Sequence, residues 1–129
     1  QQVQAASSAF AAVLDAGSVV AWGDPEFGGD CSAVQKKLKA VQRVQAARGA
    51  FAAILEDGSV VTWGDPAFGG DCSCVQQQLT NVQEIQATPA AFAAILDGGS
   101  VVTWGIDVCG GDSSAVQEQL KNGQKLKTP

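Results

Sequence analysis

The feature that most constrains this chain is a step of 41 residues. Phe10, Phe51 and Phe92 are 41 apart, as are Trp22, Trp63 and Trp104, and Leu38, Leu79 and Leu120. Three units fill positions 1–41, 42–82 and 83–123, and the closing QKLKTP (124–129) aligns with the opening QQVQAA as the start of a fourth. A period of this size marks solenoids, propellers and arrays, whose units bury their apolar faces by stacking on one another. The expectation is one repeat domain over 1–129.

One unit can be read in detail. VQEIQA (82–87) and AFAAIL (91–96) are short and suited to strands, and the second is apolar on both faces, as in a strand covered from two sides. Asp57-Gly58, between AFAAIL and SVVTWG, predicts a type I′ hairpin turn. Ala16-Gly17 and Gly98-Gly99 keep the glycine at that place. GDPAFGGD (64–71), with a proline and three glycines, reads as a loop. Ser73-Cys74-Val75-Gln76 then has the form of a capping box, repeated at Ser32–Gln35 and Ser114–Gln117. Val75, Leu79 and Val82 follow at i, i+4 and i+7, which predicts a short amphipathic helix of about two turns.

The predicted fold class is therefore mainly β with a short helix per repeat: three β-β-β-α units in an open propeller-like or solenoid array. A closed pseudo-threefold fold such as a β-trefoil is the alternative. The helix in every repeat fits a trefoil poorly.

The stretch AFAAILEDGSVVTWGDPAFGGD (50–71) resembles the repeat of the regulator of chromosome condensation family, with its small apolar run, D-G turn, V-x-x-W-G and glycine-rich tail. Similar repeats occur in HECT-type ubiquitin ligases, in a bacterial propeller that inhibits β-lactamases and in long algal arrays. The resemblance implies propeller blades. Family propellers usually have seven, and three repeats do not close such a ring. The helical SAVQKKL (32–38) departs from the family pattern. Nothing here resembles the wedge by which the chromosomal member acts on its GTPase, so exchange activity is not carried over.

Composition narrows the function classes. The chain is 46% hydrophobic and 16% charged, as in a globular protein, and no apolar run reaches the roughly 20 residues of a membrane helix. A soluble chain is expected, with peripheral membrane association left open. The net charge of −5 argues against nucleic acid. The sequence has no Met, which suggests a processed precursor, conceivably of an organelle, or a piece of something longer. His and Tyr are absent as well, removing the commonest general base and metal ligand.

Candidate sites are few. Asp24 and Asp30, with Asp65 and Asp71, flank glycine pairs as calcium ligands could. The spacing lacks EF-hand order, and the competing reading places Asp30, Asp71 and Asp112 ahead of helix N-termini, where negative charge is favoured. The four cysteines, Cys31, Cys72, Cys74 and Cys109, match no zinc pattern and allow three disulfide pairings. Trp22, Trp63 and Trp104 read as core residues, with an exposed aromatic ladder as the other option.

No cofactor and no catalytic residue is expected, and the chain is read as a non-enzyme. Its expected role is a protein-interaction or scaffolding module, an accessory subunit of a larger assembly, for an algal source conceivably a photosynthetic membrane complex. A lectin-like or calcium-dependent binder using the acidic loops and the tryptophans is the alternative. Partner contacts are expected where repeats differ most, at Glu26, Lys36, Lys37, Lys39, Gln77, Gln78, Glu118 and Lys121. The unpaired terminal strands offer a route to self-association.

Overall fold

The computed structural model describes residues 2–105. They form nine strands: β1 (Gln2–Ala5), β2 (Ala9–Val13), β3 (Val19–Gly23), β4 (Val41–Ala46), β5 (Ala50–Leu55), β6 (Val60–Gly64), β7 (Val82–Thr88), β8 (Ala91–Leu96) and β9 (Val101–Gly105). Each consecutive trio makes its own antiparallel sheet in chain order, so every unit is one blade and the described array is open. The closed threefold alternative is set aside by these three separate sheets.

Register explains why Phe and Trp recur together. Phe10 lies opposite Trp22, Phe51 opposite Trp63 and Phe92 opposite Trp104. The rings stack with centroids 5.4, 5.3 and 5.5 Å apart. Cross-strand aromatic pairs of this kind add about 0.5–1.5 kcal/mol beyond the area they bury.

Strand alternation then hands each blade two apolar faces. In the second blade Phe51, Ala53, Val61 and Trp63 turn toward the first, meeting Ala11, Val19 and Leu38. Ala50, Ala52, Ile54 and Val60 turn the other way, onto Ile85, Phe92 and Trp104 of the third. AFAAIL at 50–55 is thus covered on both sides, whereas the copy at 91–96, on which the expectation rests, alternates between buried and half-buried positions. Backbone bonds knit the blades at both sheet ends. Ser7 N–H donates to Arg48 O and Arg48 N–H to Pro89 O, each at 2.9 Å. At the other end Val41 N–H donates to Gly17 O, and Glu56 N–H to Ala40 O, again at 2.9 Å.

The helical segments differ from the sequence expectation. Ser32–Lys37 and Ser73–Gln78 are short helices at the expected places but of the 3-10 rather than the α type, and shorter ones occupy Pro25–Phe27 and Pro66–Phe68. Each six-residue segment is pinned by a buried Cys at one end and a buried Leu at the other. A 3-10 helix rises about 2.0 Å per residue against 1.5 Å in an α-helix, so it spans more distance with the same residues. Val75, Leu79 and Val82 are all buried, but they belong to the helix, its C-cap and the next strand. Leu79 is followed closely by Asn81 at φ 55°, and Ala40 holds φ 56° at the matching place.

The hairpin turn also differs. Only Gly58 of the Asp57-Gly58 pair has positive φ, at 85°. Gly58 N–H donates to Leu55 O, and Leu55 N–H to Ser59 O, both at 2.9 Å. At Gly98-Gly99 both residues are left-handed, at φ 96°, whereas the connection at Asp57-Gly58 places a tight turn ahead of a single left-handed glycine. Asp57 caps it by accepting from Ser59 N–H at 2.9 Å and Ser59 Oγ at 2.6 Å.

Candidate functional site

The loop and 3-10 helices after β3 and after β6 form one edge of the first and second blades. Asp24 Oδ1 accepts from Glu26 N–H at 3.0 Å, and Asp65 Oδ1 from Ala67 N–H at 2.9 Å. Asp30 Oδ1 accepts from Ser32 N–H and Asp71 Oδ1 from Ser73 N–H, both at 2.9 Å. The carboxylate, not the Ser hydroxyl of a capping box, thus meets the first helical N–H; the Asp ahead of the helix is the anticipated acidic feature, and Ser supplies the donor. The Ser32 hydroxyl, and after it the backbone N–H, holds the Asp30 carboxyl below the ordinary carboxylate range. For Asp71 the Ser73 backbone N–H is the larger cause and the hydroxyl the second. Asp112 lies outside the described residues.

These four aspartates, the calcium candidates, each give one oxygen to their own turn. Among the described residues no group of three or more His, Cys, Asp or Glu side chains converges on a point where an ion could be held.

The glutamine of the supposed capping box does something the sequence did not announce. Cys31 Sγ donates to Gln35 Oε1 at 3.2 Å, while Gln35 Nε2 donates to Val19 O at 3.4 Å. Cys72 and Gln76 repeat this at 3.0 Å, with Gln76 Nε2 donating to Val60 O at 3.2 Å. Gln is therefore a strut between a buried thiol and the third strand. The signal was present as a Cys-x-x-x-Gln spacing in two repeats, with Ser113 and Gln117 in the third. Burial is the main cause that pushes the Cys31 and Cys72 thiols up, the opposite of what a nucleophilic thiolate requires. Both are free; Cys74 is disulfide-bonded. Cys109 lies outside the described residues.

The tryptophans divide. Trp63 and Trp104 are 4% and 1% exposed, whereas Trp22 is 46% exposed. The core reading holds for the first two and not for Trp22.

Positions expected to contact a partner are placed on the blade edge. Glu26, Lys36, Lys37, Lys39, Gln77 and Gln78 are all exposed, on or beside the 3-10 helices. Glu118 and Lys121 lie outside the described residues. Between the first and second blades runs a groove of about 560 Å³, with Lys37 and Val34 on one wall and Asp71, Ser73 and Gln76 on the other. Lys37 and Asp71 put opposite charges on its two walls.

An open run of meander blades, each sheet stacked face to face on the next, with a glycine-rich loop edging the first two, defines the propeller-repeat class. The fold is that of the regulator of chromosome condensation-like propellers. The chain is similar to Prp20p from Saccharomyces cerevisiae, at 18% identity and a TM-score of 0.59 over 81% of this chain and 30% of that one. Human WBSCR16 matches at 19% identity and a TM-score of 0.59, over 81% of this chain and 32% of that one. The CRINKLY WD40 ectodomain of the Arabidopsis thaliana receptor kinase ACR4 matches at 21% identity and 0.60, over 80% and 37%. The chain thus spans about a third of the length of each. No protein-family model and no curated protein matches the sequence. No helix among the described residues is long and apolar enough to cross a membrane.

Proposed function

We propose that this chain is a non-enzymatic protein-interaction module, acting as a scaffolding or accessory subunit, and that its contact surface is the 3-10 edge of the blades. One observation carries this reading. The frame is repeated almost to the degree, with Cys31 and Cys72 both at φ −102° and ψ 14° and the left-handed Gly28 and Gly69 ahead of them at φ 101° and 99°, while the side chains that change sit on the outside. Glu26 becomes Ala67, Lys36 becomes Gln77 and Lys37 becomes Gln78 with no change in backbone element. A constant scaffold with exchangeable exposed positions is how repeat proteins build recognition surfaces.

The charge of the first edge suggests the partner's chemistry. Lys36, Lys37 and Lys39 project from one short segment of a chain whose net charge is −5, so this is a local basic patch on an acidic protein. An acidic protein surface is the complementary class. The neighbour Prp20p is described by its binding to Gsp1p and histones, which is in keeping with protein recognition by such blades.

The test is affinity capture from the native source with the intact chain and with a Lys36→Glu/Lys37→Glu/Lys39→Glu variant. Capture that weakens with salt and is lost in the variant, with unchanged circular dichroism, supports the basic edge. Partners retained equally by both proteins place recognition elsewhere.

A further inference from the structure

The groove of about 560 Å³ at the junction of the first and second blades has the size of a ligand cleft, for which about 300–1,000 Å³ is usual. It runs along Val60, Val61 and Thr62 of β6, the last strand of its sheet, so an occupant that follows it is extended. Each blade leaves one aliphatic side chain half-buried on the groove, Val34 from the first and Leu55 from the second.

The wall on the second blade is held by its own bonds. Thr62 Oγ1 donates to Gly70 O and Gln76 Nε2 to Val60 O, both at 3.2 Å. Asp71 Oδ1 accepts from Ser73 N–H at 2.9 Å, and the Ser73 hydroxyl binds the same carboxylate, so this acid is committed to its own turn. Lys37 is different. Its ammonium forms no ion pair or hydrogen bond with another described residue. It nevertheless lies close enough to Cys72, on the groove, for its charge to oppose the larger upward push of burial on that thiol. Lys36 and Lys39, on the same segment, do not line the groove. The cleft thus offers a preformed wall, two aliphatic side chains and one cation without a counterion. A carboxylate beside an aliphatic group is the complement.

We propose that this groove seats a short extended peptide segment of a protein partner, with a carboxylate side chain on Lys37 and an adjacent aliphatic side chain between Val34 and Leu55. The inference rests on the interaction-edge reading above and narrows it from a basic surface to one charge and one cleft. Gln78 and Gln119 stand where the other two repeats would need the lysine, so the charge is particular to the first repeat.

Selection of random heptapeptides displayed on phage against the intact chain, followed by fluorescence anisotropy of the enriched peptides, tests it. Enriched peptides are expected to carry Asp or Glu beside Val, Leu or Ile. Lys37→Gln installs the residue that the second repeat already holds in the same backbone element, so the fold is kept. It should weaken these peptides about tenfold, as for a lost charge-assisted hydrogen bond. Lys36→Gln should change binding by less than about twofold, as for a solvated rim charge. No enrichment, enriched peptides without an acid, or binding indifferent to Lys37→Gln overturns the proposal. Equal losses in the two variants overturn it as well, because a diffuse charged surface is then being read, and they leave the basic edge standing. That edge falls on a different result, the capture of native partners surviving the triple lysine reversal.

Discussion

Trp63 donates its indole N–H to the carbonyl of Gly28, 35 residues earlier and 3.0 Å away, and Trp104 does the same to Gly69 at 3.1 Å. Each bond crosses from one blade to the loop of the blade before it. The polar end of a large apolar side chain is thereby satisfied inside the interface, so the ring is buried without leaving an unpaired donor.

Three tryptophans at equivalent positions should therefore respond unequally to mutation. Trp63→Ala is expected to cost about 3–5 kcal/mol, as for a fully packed aromatic. Trp63→Phe keeps most of the packing but strands the buried Gly28 carbonyl, at about 1–3 kcal/mol. Trp22→Ala should cost about 1 kcal/mol or less, measured under dilute conditions, because nearly half of that side chain already meets solvent. Urea denaturation of the three variants measures the series.

Ala40 and Asn81 occupy the same left-handed backbone position, at φ 56° and 55°. Left-handed backbone costs an ordinary L-residue about 1–2 kcal/mol, and Asn tolerates it through its short polar side chain. Ala40→Asn should stabilise the protein by about 0.5–1 kcal/mol, and Asn81→Ala should destabilise it by a similar amount. Opposite shifts in the denaturation midpoint are the expected result.

Acid should weaken the fold through its turn-capping aspartates. Asp30, Asp57 and Asp71 are held below the ordinary value of 3.8 by Ser32, Ser59 and Ser73. A carboxyl depressed in the folded state takes up its proton more readily when unfolded. Its contribution is complete above the unfolded value, about pH 4, and is lost as pH falls through the folded value. The melting temperature should be level from about pH 7 to 5 and fall below about pH 4. Asp71→Asn, which keeps an acceptor without the charge, should flatten that fall in a melting series.

Calcium is expected to leave the melting temperature unchanged. Asp24, Asp30, Asp65 and Asp71 each commit one oxygen to a backbone N–H of their own turn. A site with a dissociation constant of about 10 μM would add about 2.7 kcal/mol at about 1 mM calcium. That would raise the midpoint by several degrees. Thermal melts with calcium and with chelator make the comparison, and such a rise would restore the acidic loops as a metal site.

The 41-residue step and the strands were legible in the sequence because both rest on side-chain periodicity, while identical AFAAIL words are covered on both sides at 50–55 and only alternately buried at 91–96. Hydrophobicity at intervals of two decides which faces need cover, whatever the cover turns out to be. The blade edge as the variable region was legible for a related reason: positions that change between identical frames are those the core does not hold. The helix type was not legible. The same Val, Leu and Gln spacing suits an α-helix, and the 3-10 form emerges only in the tertiary structure, where the segment runs between the buried Cys31 and Leu38.

Sequence alone determined that these units must stack, since each strand repeats more apolar surface than one unit can hide. It could not tell three identical tryptophans apart. Whether an indole is core or surface depends on what lies across from it, and that is set by the neighbouring blade: Gly28 lies over Phe51 beside Trp63, and the described chain holds nothing equivalent over Phe10 and Trp22.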